Sequence, residues 1–231
     1  MSKIELSEHF TMEKMLRYSQ SSIFKSLAIT SFQMVDGYSV STLLGIVPFV
    51  AVTIISPVFF VLYAMGFMFG EGASALISQY MGEGDREQGC AILSMTTVAM
   101  LIFSAVVGIA AALLMPTLAR LVGATEENIG YCVRYGRLMV IFLSLYMVIS
   151  MFMSLWITAG KGWLGTVSAA IYGLSNVVLD WLFMGPLDMG VGGAALATSA
   201  AALISAAYTL VYFWMPNSSS LRFCRFILFF F

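Results

Sequence analysis

The stretch Asn176-Val177-Val178-Leu179-Asp180 sets an amide and a carboxylate four residues apart inside the otherwise apolar run 163–184. On a helix that spacing puts both side chains on one face, about one turn apart. An acid near the middle of a membrane helix costs roughly 2.5–3.5 kcal/mol on insertion scales. Such a residue points to function more than to packing. The pair reads as half of a cation or proton site, and the rest of the chain as its housing.

Composition sets the medium. Of 231 residues, 60% are hydrophobic and 10% charged, with a mean hydropathy of +0.93. Soluble domains carry about 25% charged residues, so this chain is a polytopic membrane protein. With a net charge of −1 it has no basic face for nucleic acid. Cys90, Cys132 and Cys224 have no ligand spacing and read as packing residues. His9, the one histidine, reads as a surface residue. No cleavable leader is visible at the start of the chain.

Six spans are expected in one all-α lobe over residues 21–215. They run over about 23–45, 48–81, 89–115, 131–159, 163–184 and 191–214. Pro116 is expected to stop the third span and Pro216 the sixth. The second, interrupted by Pro57, exceeds the ~20 residues needed to cross and is expected to tilt or to leave the lipid. Residues 1–20 mix Glu5, Glu8, Lys14 and Arg17 with Phe10, Met15 and Leu16, and suggest an interfacial helix. Residues 216–231 read as a cytoplasmic tail. Its end, Phe226-Ile227-Leu228-Phe229-Phe230-Phe231, resembles the opening of another span, as in a chain cut from a longer parent. With both termini inside, eight of the eleven basic residues are cytoplasmic, and Arg120, Arg134 and Arg137 lie outside.

Three acids fall within spans: Asp36, Glu71 and Asp180. Glu71, among glycines near the charged turn 82–87, reads as a residue that reaches water or a local donor. Asp36 and Asp180 read as ligands, with Asn176 adding an amide oxygen and Thr198 a hydroxyl. Hard monovalent cations prefer such oxygens. In general, burial and a second nearby carboxylate also favour the protonated form, so the same site suits a proton.

The motifs Gly72-Ala73-Ser74-Ala75-Leu76-Ile77-Ser78-Gln79-Tyr80-Met81-Gly82-Glu83-Gly84-Asp85, Asn176-Val177-Val178-Leu179-Asp180 and Gly190-Val191-Gly192-Gly193-Ala194-Ala195-Leu196-Ala197-Thr198 resemble the multidrug and toxic compound extrusion (MATE) transporters over about residues 23–215. The resemblance implies the N-terminal lobe of a plasma-membrane antiporter. It also implies export of drugs, organic cations and other amphipathic small molecules in exchange for Na+ or H+. Its cation site would be Asp36, Asn176, Asp180 and Thr198, with no cofactor and no other metal. Many relatives carry a proline early in the first span, where bending is linked to cation loading; Ser21–Leu27 has none. Only one lobe is present, and alternating access needs one bundle to rock against another. A second lobe or a homodimer partner would supply it.

Three other readings compete. An intramembrane aspartyl protease would use Gly82-Glu83-Gly84-Asp85, but that acid sits in a charged turn with no partner acid placed to share a water. A lipid-linked oligosaccharide flippase would want basic residues in mid-span, and none is there. A truncated fragment that inserts but transports nothing is the third. The Phe and Met side chains of the spans are assigned to no cargo contact.

Overall fold

A computed structural model describes residues 27, 30–216, 219 and 221–223 of the chain. The expected segment 1–20 lies outside the described residues, as does most of the tail. The described residues form seven helices: α1 (30–44), α2 (Ile46–Gly82), α3 (Arg86–Leu121), α4 (Ile129–Ile141), α5 (Leu143–Thr158), α6 (Gly162–Met184) and α7 (Gly190–Trp214). Helices α2, α3, α6 and α7 are each long and apolar enough to cross a membrane, and α4 with α5 makes one bent span. With α1, these are the six segments of an all-α membrane lobe.

A single residue, Gly45, separates α1 from α2. Its φ of 89° lies in the left-handed region that glycine enters at no steric cost. The two helices then fold together, with Gly37 against the Phe49 ring. At 37 residues, α2 is about 55 Å long by helical rise, well beyond a ~30 Å hydrocarbon core. Pro57 sits inside it without ending it.

Helix α3 corrects one boundary. It continues through Pro116 to Leu121 instead of stopping there. A proline removes one ladder hydrogen bond, and packing by neighbouring helices can hold the turn together. Here Met115 and Ala119, on either side of Pro116, are fully buried, Met115 against Gly136 of α4. At the other end, Asp85 accepts a hydrogen bond from the Gln88 amide at 3.0 Å and caps the helix. The acid of the Gly-Glu-Gly-Asp sequence thus serves as a helix cap.

The fourth span is not the continuous helix expected. It breaks at Phe142, with a bend of 63°. No proline or glycine stands at the break. Tighter three-residue bonds, Phe142 N–H to the Met139 carbonyl (3.2 Å) and Leu145 N–H to the Phe142 carbonyl (2.9 Å), satisfy the backbone through it. Ser144 and Ser104 share a hydroxyl hydrogen bond at 2.7 Å that ties the start of α5 to α3.

Lipid gives helices no hydrophobic drive to associate, so close backbone packing and polar contacts do that work. On α2, a Cβ at Gly66 would lie 2.7 Å from the Met147 carbonyl oxygen, and one at Gly70 would meet Met151. Beyond them Ser154 donates to Glu71 at 2.6 Å, and Ser74 pairs with Thr158 at 2.5 Å. Between α6 and α7, the buried hydroxyls of Ser168 and Ser205 meet at 2.9 Å, with Thr209 3.2 Å from Ser168. At one end Trp156, Phe152 and Phe213 stack as a buried cluster. Residues 221–223 return to it: the Phe223 amide donates to the Phe213 carbonyl at 2.9 Å, and Leu221 is fully buried.

Helix α1 meets α6 at another glycine. A Cβ on Gly173 would run into the Phe32 ring.

Two outcomes follow from these contacts. Gly66→Val should destabilise the fold by about 1–3 kcal/mol through overpacking, seen as a lower Tm in detergent, whereas Gly72→Ala, with open space around it, should leave Tm unchanged or higher. Gly173→Val should push α1 off α6. Cross-linking between Asp36→Cys and Asp180→Cys, read by peptide mapping, should form readily and fall severalfold when Gly173→Val is added.

Candidate cation site

The four residues singled out from sequence come together from three helices. Helix α6 carries Asn176 and Asp180, α7 carries Thr198 and α1 carries Asp36. Asp180 is 0% exposed, Asn176 4% and Thr198 9%. The Asn176 Nδ2 donates to Thr198 Oγ1 at 3.3 Å, and that hydroxyl donates to the Ala194 carbonyl at 2.9 Å. The amide orientation leaves Asn176 Oδ1 available as a ligand oxygen.

Asp36 and Asp180 lie close enough for their carboxyl groups to interact directly. Neither Asp180 oxygen has a hydrogen-bond partner in good geometry among the described residues, although both are buried. An unsatisfied buried polar atom costs roughly 1–3 kcal/mol, and more when charged. A carboxylate left this way calls for a balancing charge. A bound cation or proton would supply it.

Beside Asp36 opens a cavity of about 410 Å³. Asp36, Asn176 and Thr198 line it with aromatic side chains from α1, α2, α4, α5 and α6. Phe59 and Phe60 come from α2, Tyr135 from α4, Tyr146 from α5 and Tyr172 from α6. The bend at Phe142 matters here, because it lets α4 and α5 both face this space. Tyr146 reaches across the bend to Met139 Sδ at 3.5 Å. Among the described residues, the lining holds two carboxamides, Gln33 and Asn176, and no lysine or arginine.

Sequence reading missed the aromatic wall. Tyr63, Tyr135, Tyr146 and Tyr172 all line the cavity. Their signal was there: tyrosine within an apolar span has a hydroxyl that wants a polar neighbour. Glu71 stands apart from the pair, exposed on α2 and bonded to Ser154.

The MatE family profile matches residues 21–182. The multidrug export protein MepA of Staphylococcus saprophyticus is 27% identical over 216 residues, covering 87% of this chain and 47% of its own length. MepA of Staphylococcus aureus strain MRSA252 is 27% identical over 222 residues, covering 89% and 48%. The chain thus spans about half the length of these relatives. Among solved structures, a MATE in the straight conformation superposes with a TM-score of 0.81 at 22% identity, covering 91% of this chain and 46% of that one. An inward-facing multidrug resistance MATE family transporter gives 0.79 at 22% identity, covering 85% and 44%. At that identity the likeness speaks to fold. With a family match over most of its length and the fold of one lobe, the chain belongs to the MatE family of multidrug and toxic compound extrusion transporters.

Proposed function

We propose that this lobe exchanges Na+ or H+ for amphipathic organic cations, as the cation-coupled half of a multidrug exporter. The observation that carries the reading is the buried Asp180 carboxyl, which faces Asp36 beside an aromatic cavity and, among the described residues, meets no donor in good hydrogen-bond geometry. Asp36, Asp180, Asn176 Oδ1 and Thr198 Oγ1 would form the oxygen shell of a hard monovalent cation. A proton on the pair serves the same balance.

Exchange follows from charge. Two carboxylates in a dry bundle are costly without a positive partner. A coupling ion neutralises them, and so does a cationic drug resting on the aromatic wall. Each arrival lowers the need for the other, which is the condition for antiport. That no lysine or arginine lines the cavity among the described residues favours cationic or neutral cargo over the pyrophosphate of a lipid-linked sugar.

Transport also needs a second bundle, and we place it with a second lobe or a homodimer partner. The orientation with both termini cytoplasmic rests on the distribution of basic residues.

The site and the transport cycle are tested apart. In detergent, Na+ or low pH should stabilise the 231-residue chain, by about 2.7 kcal/mol at a concentration one hundred times Kd. Asp180→Asn and Asp36→Asn should each remove most of that gain. Retained stabilisation in Asp180→Asn would overturn the site. Efflux of a cationic dye from cells is the second readout. A well-expressed chain that binds the ion yet shows no efflux would place the missing function in the second bundle, and one that neither binds nor exports would be an inactive fragment.

A further inference from the structure

A second cavity, of about 910 Å³, lies between α4 and α7 and shares no lining residue with the aromatic one. Arg134 and Arg137 line it. Three residues apart, they stand on one face of α4. They follow the first residue of α4, Ile129, by about 7 and 12 Å along the axis. With the fourth span expected to begin near 131, this places them close to the expected membrane boundary, where arginines extend toward headgroups.

Both guanidinium groups are exposed, and neither has an ion-pair partner among the described residues. Asp188 also lines the cavity but is paired with neither arginine, so the lining stays net positive. The Arg134 guanidinium lies over Gly192 of α7, with Nη2 3.5 Å from where a Cβ would stand. A larger residue there would crowd the head group of Arg134. The remaining walls, including Val133, Leu138 and Leu196, are apolar. Two unpaired arginines at the mouth of an apolar groove match one kind of membrane molecule: a phosphate headgroup carried on acyl chains.

The geometry points to a binding site for an anionic phospholipid in this groove. Its phosphate takes the fork of Arg134 and the charge of Arg137, and its chains lie along Leu138 and Leu196. Such a lipid fastens α4 to α7, and so links the bent span to the helix that carries Thr198. The site stands independently of the proposed exchange function.

The test is lipid binding to the full chain, measured by native mass spectrometry and by Tm in detergent. Phosphatidylglycerol should bind more tightly than phosphatidylcholine, by roughly fivefold per arginine. Arg134→Gln with Arg137→Gln should bring the two lipids to parity. Leu196→Trp keeps both charges but fills the groove, and it should also erase the preference, covering the case in which the double variant folds poorly. Inorganic phosphate at millimolar concentration should not raise Tm. Equal binding of the two lipids by the unmodified chain, a preference that survives the substitutions, or phosphate alone matching phosphatidylglycerol would each overturn the assignment.

Discussion

A buried acid that, among the described residues, meets no donor in good hydrogen-bond geometry is the constraint around which this lobe is arranged. Asp180 is fully buried with both oxygens unsatisfied. Folding normally removes such groups or pairs them, because desolvating a charge without compensation is expensive. The neighbouring elements read as ways of holding that acid ready. Asn176 and Thr198 bring neutral oxygens at fixed positions, and α1 brings a second acid.

The polar contacts divide the lobe into a rigid part and an approaching part. Helices α6 and α7 are locked by the buried Ser168–Ser205–Thr209 hydroxyls. Three of the four candidate site residues ride on that locked pair. Asp36 alone comes from α1, which reaches α6 through the contact of Phe32 with Gly173. A site split this way has geometry that depends on where α1 sits. That is the property a carrier needs if ion binding is to be coupled to shape.

The chain solves two problems of the bilayer with the same device. Glycines let helices approach at Gly66, Gly70 and Gly173, where apolar lipid supplies no driving force. Hydroxyls then bond across the seams. The bent span shows how the backbone tolerates irregularity inside a membrane protein: three-residue bonds close the ladder around Phe142. The irregular turn contributes to a cavity wall, as expected where non-helical backbone sits at membrane depth.

Much of this was legible before any coordinates. Apolar runs of span length mark helices because lipid leaves the backbone no other partner, and an acid in such a run marks itself by its cost. Asp36 and Asp180 therefore stood out one by one as candidates, and the i, i+4 spacing placed Asn176 on the same face as Asp180. What local sequence does not encode is which faces meet. Pro116 should have ended α3, but buried packing on both sides carried the helix through it. Phe142 carries no breaking residue, so its bend arises from contacts with other helices and not from its own preference. The tyrosine wall likewise comes from separate helices whose tyrosines look individually ordinary. Residue chemistry by itself determined that the chain crosses a membrane and which oxygens are costly there. Tertiary packing decided that those oxygens converge beside an aromatic cavity, because convergence depends on distances between segments far apart in the chain.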